Sequence, residues 1–358
     1  MRVKSVLGLV SLICWGVGSL VIGLAQEPAF VTAAALNAWG GSPDASMSQD
    51  AAGTPSEAPP RVVVAAVGDI GCGQDTPDAP CRDDSVARLT ASLDPDAVLL
   101  LGDIQYECGE LSDFETFFDR FWGSLKPRLH PAIGHHEYGV DDEPDDLCYG
   151  LTKGAPGYWA YFGDAATPRE PGCRLSCAGS YSFDLGAWHL IALNSVCSAT
   201  PGGCEAGSPQ EQWLRADLAA HPASCTLAFL HDPRFSSGRG GDQSKVQALW
   251  DALYDAGADL VLAAHDHHYE RLMPMDPQGQ PDRERGLRSF VVGTGGRSHL
   301  QLPETRRVGS EVANDDTFGV LRLELHNGGY AWEFVPEIGN GTEATAAFTD
   351  AGSSECHD

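Results

Sequence analysis

Apolar positions in this chain gather into short unbroken runs separated by turn residues. The first begins after Arg61, where Val62-Val63-Val64-Ala65-Ala66-Val67 is apolar at every position and is closed by a turn. A run without alternation reads as a strand buried on both faces. Ala97–Leu101, Cys225–Leu230 and Asp259–Ala264 read the same way, and Tyr181–Leu185 with Trp188–Leu193 reads as a hairpin around Gly186-Ala187. Ser289–Val292, Val320–Leu325 and Tyr330–Val335 are later strands. Helical spacing marks Asp83–Leu93, Leu111–Trp122, Ser208–Ala220 and Gln243–Ala256. In the second of these, Phe114, Phe117, Phe118 and Phe121 fall at 3–4 spacing and read as core. The third carries its own start signal, Ser208 at the N-cap, Pro209 at N1 and Glu211 at N3. The stretch 138–180 is loop-rich, and there is no internal repeat. Strands and helices alternate early and strands dominate late, which favours an α/β layered domain with buried strands.

The N-terminus changes where this domain is expected to work. Arg2 and Lys4 precede an uncharged run, Val6–Leu24, and Gly23 and Ala25 are the small residues of a cut before Gln26. This predicts a secretory signal peptide over 1–25. An uncleaved anchor is the alternative, since the run is long enough to span a bilayer. Both place the remainder outside the cytoplasm, secreted or extracytoplasmic. Residues 26–60 are rich in Ala, Ser, Pro and Gly and read as a flexible low-complexity leader. The folded domain is expected over 61–350, with 351–358 as a C-terminal tail. The net charge of −27 argues against nucleic acid and anionic membrane surfaces as partners. Of the 11 cysteines, Cys14 lies in the leading apolar run. The even set that remains (Cys72, Cys81, Cys108, Cys148, Cys173, Cys177, Cys197, Cys204, Cys225 and Cys356) reads as disulfides in an exported chain. Cys173/Cys177 and Cys197/Cys204 are close enough in sequence to staple loops. Zinc ligation by cysteine is disfavoured because no Cys-x-x-Cys pair occurs. The acidic run Asp141–Asp146 lacks the spacing of a calcium loop and reads as a solvated turn.

Chemistry collects at strand ends. Gly68-Asp69-Ile70-Gly71 follows the first strand and Gly102-Asp103-Ile104-Gln105-Tyr106 the second. Gly134-His135-His136-Glu137, His231-Asp232-Pro233 and Ala264-His265-Asp266-His267-His268 come next. Sites in open α/β sheets form beyond the carboxyl ends of strands, so these segments are expected at one edge. Carboxylates alone suit calcium or magnesium, whereas several imidazoles shift the choice to zinc, iron or manganese. A carboxylate can bridge two ions, and two ions can activate water and clamp the oxygens of an in-line displacement at phosphorus. A P-loop and a Gly-x-Ser-x-Gly elbow are both absent.

Over about 61–335 these segments resemble the calcineurin-like metallophosphoesterases, and among them the purple acid phosphatases. That family carries Asp-x-Gly, Gly-Asp-x-x-Tyr, Gly-Asn-His-Glu, a strand-end His and Gly-His-x-His in this order. The resemblance implies an α/β fold, a layered sandwich of two mixed β-sheets flanked by helices. It implies two metal ions, iron plus zinc, with manganese or a second iron as alternatives to zinc. Asp69, Tyr106 and His267 would hold the first, His231 and His265 the second, and Asp103 would bridge them. His136 would stand near the leaving-group oxygen as acid or orienter. The implied reaction is hydrolysis of phosphate monoesters on small phosphorylated substrates by a metal-bound hydroxide. Phosphodiester or nucleotide hydrolysis on the same metals is the alternative, as is a degenerate relative that binds metal without turnover.

The chain departs from the family pattern at two positions. His135 replaces the family's Asn and is read as a ligand that tilts the second site toward zinc. Ala264 replaces a Gly, a small change if its φ is negative. Asp232 is read as a turn residue, Glu270 and Arg271 as a structural ion pair, and His189 as a satisfied strand residue. The loop Gly293–His299 is read as a turn from which Arg297 or His299 could reach phosphate.

Overall fold

Two mixed sheets stack around the short apolar runs that begin at Val62. The computed structural model describes residues 61–73, 81–139, 148, 154–166, 179–338 and 348–357. The predicted signal peptide and leader, the acidic run and Cys173 and Cys177 lie outside them. In chain order the strands are β1 (Val62–Val67), β2 (Ala97–Leu101), β3 (Leu129–Ala132), β4 (Tyr181–Leu185), β5 (Trp188–Ala192), β6 (Cys225–Phe229) and β7 (Leu260–Ala263). Then follow β8 (Tyr269–Met275), β9 (Leu287–Val292), β10 (Ser310–Asn314), β11 (Gly319–His326), β12 (Gly329–Pro336) and β13 (Asp350–Glu355). One sheet runs β13-β12-β11-β1-β2-β3 and the other β10-β8-β9-β7-β6-β5-β4. Within the first, β1, β2 and β3 are parallel. Within the second, β5, β6, β7 and β9 are parallel. The sandwich of two mixed sheets is thus the observed fold.

The period of two explains why these strands are apolar throughout. Val64, Ala66, Leu99 and Leu101 face the second sheet's Leu190, Leu227, Leu262 and Phe290 in the central core. Ala65, Val67, Val98 and Leu100 face outward instead, toward Val86 of α1 (Asp83–Ser92) and the aromatic side chains of the helical run 111–122. That run winds as a π-helix at Phe114–Phe118, and Phe114 and Phe118 are buried while Phe117 and Phe121 are not. Past α2 (His135–Tyr138), α3 (Pro156–Phe162) covers the same face, inside a stretch expected to be loop. On the far side, α4 (Pro209–Ala220) and α5 (Gln247–Asp255) cover Ile191, Ala228 and Val261. The N-cap of α4 forms as expected, with Glu211 N–H donating to Ser208 Oγ at 3.2 Å. The Glu211 carboxylate reaches past the cap to Gly207 N–H at 3.0 Å.

Four strands carry no sequence signal. In β3, Pro131 interrupts the apolar pattern, and it is tolerated because the strand is at a sheet edge. β8, which follows the last histidine motif, carries Glu270 and Arg271 amid its apolar positions. β10 and β13 are polar edge strands. The domain boundary expected at 350 falls inside β13, so residues past it belong to the sheet, not to a tail. A disulfide from Cys225 to Cys356 ties this last strand to β6. Cys72–Cys81, Cys108–Cys148 and Cys197–Cys204 also pair. Among the described residues no helix is long and apolar enough to cross a membrane.

Glu270 and Arg271 are not an ion pair. As neighbours in β8 they face opposite ways. Arg271 binds Asp350 and Glu311. Glu270 accepts from Ser237 N–H at 2.8 Å and Ser237 Oγ at 2.6 Å and lies 3.3 Å from His268 Nε2. Burial alone would raise the Glu270 pKa, but the bonds from His268 and Ser237 hold it at about 2, against an ordinary 4.5. The resulting stabilisation is fully present above pH 4.5 and is lost as pH falls toward 2, and it amounts to roughly 3 kcal/mol. Glu270→Gln should therefore lower the urea midpoint strongly at pH 7 and much less at pH 3. Equal losses at the two pH values would contradict this.

Candidate metal centre

The motif residues project from the carboxyl ends of parallel strands in both sheets. Asp69 follows β1, Asp103 and Tyr106 follow β2, and His135 and His136 open α2 after β3. His231 follows β6, and His265 and His267 follow β7. Three of them, Asp69 (φ 59°), Asp103 (φ 46°) and His265 (φ 70°), adopt the left-handed conformation. Non-glycine residues hold such a conformation only where surrounding structure enforces it. Here neighbouring backbones come too close for side chains to intervene. A Cβ at Gly134 would meet Asp103 Oδ1 at 2.2 Å, and one at Gly102 would meet the His231 ring at 2.7 Å. Ala264 has no positive φ, so its methyl is tolerated, and it packs directly over Gly68.

Two donor sets share one carboxylate. In the first, Tyr106 Oη lies 2.9 Å from Asp69 Oδ1, 3.1 Å from His267 Nε2 and 3.3 Å from Asp103 Oδ2. His267 Nε2 is 3.4 Å from Asp69 Oδ1. In the second, His135 Nδ1 and His231 Nε2 are 3.1 Å apart and each 3.1 Å from Asp103 Oδ2. His265 completes this set, with donor atoms from all four residues within 4.8 Å of one another. Donors about 2.0–2.2 Å from one ion, at right to tetrahedral angles, stand about 2.8–3.6 Å apart, and the separations of 2.9 to 3.4 Å measured in the two sets have that spacing. Asp69 Oδ2 and His265 Nδ1 are buried without a hydrogen-bond partner. Such orphans are costly unless something else binds them. Both observations fit two cations.

Charge points the same way. Burial alone would raise the Asp103 pKa, yet the imidazoles of His135, His231 and His136 hold it well below the ordinary carboxylate value. Burial opposes protonation of His231, but Asp103 overrides it and lifts that pKa to about 10. A proton on His231 thus balances Asp103, the place a metal ion takes when it binds and displaces the proton.

The donors are held by groups with no sequence signature. The Leu101 carbonyl accepts from His231 Nδ1 at 2.9 Å, leaving Nε2 toward Asp103. Ser298 Oγ lies 2.8 Å from His267 Nδ1. Glu137 accepts backbone N–H bonds from Ile104 (2.7 Å), Gln105 (3.0 Å) and Gly134 (2.9 Å), locking the β2 turn to the β3 turn. The Glu107 carbonyl accepts from His136 Nδ1 at 2.5 Å, and His136 Nε2 points inward, 4.0 Å from Asp103 Oδ2. Asp232 pairs with Lys245 Nζ at 2.9 Å and does not orient His231. His189 is satisfied elsewhere by Asp184 (2.8 Å) and Asp217 (2.9 Å). His299 stacks on Phe318, while Arg297 lies over the Tyr106 ring.

A family model described as calcineurin-like phosphoesterase matches residues 62–269. The chain belongs to this family. The match runs from β1 into β8 and takes in every motif residue above. Purple acid phosphatase 15 of Arabidopsis thaliana is 28% identical over 249 residues, 61% of this chain and 42% of that relative. Acid phosphatase type 7 of Homo sapiens is 28% identical over 242 residues, 60% of this chain and 48% of that relative. The chain thus spans less than half the length of these curated relatives. A purple acid phosphatase from yellow lupin seeds has the same fold, with a TM-score of 0.62 at 18% identity over 84% of this chain and 54% of that structure. Purple acid phosphatases depend on binuclear metal centres, and this chain brings candidate metal-ligand groups together at its strand ends.

Proposed function

We propose that the protein is an exported binuclear-metal phosphoesterase that hydrolyses phosphate monoesters, in the manner of an acid phosphatase. One observation carries the reading: Asp103 Oδ2 stands within coordination spacing of both donor sets. Asp69, Tyr106 and His267 would hold one ion, His135, His231 and His265 the other, and Asp103 both. Two bound ions would supply Lewis acidity at the phosphoryl oxygens and acidify a water for attack. The chain's own part is positional. With Nδ1 fixed on the Glu107 carbonyl, His136 presents Nε2 to the centre, ready to give a proton to the leaving oxygen. The hard carboxylate–phenol set suits iron, and the imidazole-rich set suits zinc. The disulfides support export, because such bonds persist in oxidising compartments.

Elemental analysis of the purified protein, assayed with p-nitrophenyl phosphate and its bis ester, tests the reading. About two metals per chain with turnover of the monoester is expected. No turnover after iron, zinc and manganese are supplied would overturn it and leave a binding protein. Tyr106 tests the iron separately: a tyrosinate on ferric iron absorbs broadly in the visible, and Tyr106→Phe should bleach that band. A colourless, fully active wild type containing only zinc would exclude iron and leave hydrolysis standing.

A further inference from the structure

One cation stands at the rim of the centre outside the ligand sets. Arg297 lies in the loop after β9, and its backbone N–H donates to the Asp69 carbonyl at 3.2 Å, pinning it to the first ligand turn. Its guanidinium carbon is 5.0 Å from the centroid of the Tyr106 ring. Nη2 pairs with Glu107, and the Arg297 side chain is 17% exposed. Glu107 Oε2 lies 3.9 Å from His136 Nδ1, so Arg297 and His136 flank the same carboxylate. A guanidinium has five N–H donors. Among the described residues the pair with Glu107 is the side-chain bond Arg297 makes, through Nη2 alone. Arg271, by contrast, spends Nε, Nη1 and Nη2 on Asp350 and Glu311. Arg297 is therefore held in place beside the centre with donors unspent.

We infer that Arg297 binds a terminal oxygen of the substrate phosphoryl group and gives this site its preference for monoesters over diesters. The inference rests on the phosphoesterase reading above. A monoester differs from a diester by one further terminal oxygen and, above its second pKa near 6, one further negative charge. A guanidinium with free donors binds that oxygen and that charge, and in a diester the same place carries a neutral ester substituent. Glu107 fixes the guanidinium and tempers its charge.

The test compares kcat/KM for p-nitrophenyl phosphate and bis(p-nitrophenyl) phosphate in the metal-loaded wild type, Arg297→Met and Arg297→Lys, with metal content measured on each sample. Arg297→Met should lose about 30- to 100-fold on the monoester and less than about threefold on the diester, and inhibition by inorganic phosphate should weaken at least tenfold. Arg297→Lys, which keeps the charge and loses the fork, should recover part of the monoester rate. Equal losses on both esters would overturn the assignment, as would loss of metal from both variants, since Arg297 would then act through the centre. A metal-loaded wild type that turns over neither ester would instead overturn the phosphoesterase reading, before any variant is made.

Discussion

Asp103→Ala should empty both ion sites and lower kcat/KM by at least about 10³-fold. Its carboxylate is the one group common to the two donor sets. Oδ2 stands 3.1 Å from His135 Nδ1 and His231 Nε2 and 3.3 Å from Tyr106 Oη. Oδ1 accepts the His136 N–H at 3.0 Å, so the same side chain seats the proposed proton donor. Removing it leaves the buried His231 imidazole without its counter-charge and the His136 N–H without its acceptor. Alanine at φ 46° adds strain that aspartate tolerates better, so Asp103→Asn is the necessary companion. Asparagine keeps the shape and the bond to His136 but loses the charge that holds two cations, and it should retain less than about 1% of the activity. Kinetics and elemental analysis on the same samples, with circular dichroism to confirm folding, decide the matter. Activity within about tenfold of wild type in both variants would remove Asp103 from the centre.

What could be read in the sequence, and what could not, follows from where the information resides. β1, β2, β6 and β7 are buried on both faces, so apart from Thr226 their runs are apolar throughout and legible without a partner. β3 is an edge strand of four residues with a proline in it, and only its pairing with β2 makes it a strand. The ligand candidates were legible because carboxylate, phenol and imidazole stand at successive strand ends. Their supports were not: the Leu101 carbonyl and the three N–H groups bound by Glu137 are backbone atoms with no residue signature. Arg297 was legible as a turn residue that could reach phosphate, but its place over Tyr106 was not, because that depends on how β9 sits in the second sheet while Tyr106 leaves the first. Glu270 and Arg271 were misread for a simpler reason: adjacent charges in a strand cannot meet.

His135→Ala should cost the second ion and about 10²-fold in kcat/KM, while His135→Asn should keep most of both. Nδ1 of His135 is 3.1 Å from Asp103 Oδ2 and 3.1 Å from His231 Nε2, closing one triangle of donors. Burial holds the His135 pKa down to about 4, so the ring is neutral at working pH and its lone pair is available to a metal. Alanine leaves three donors in that set, Asp103, His231 and His265, with the fourth place open to water. Asparagine restores a donor of the other kind, an amide oxygen, which is harder than imidazole. The ratio of zinc to manganese activity should therefore fall in His135→Asn relative to wild type. That ratio is the informative readout, because a merely structural histidine would change stability without changing which metal supports turnover. If His135→Ala retains two ions and activity within about threefold, the ring points past the metal, and the second site is built from Asp103, His231 and His265 alone.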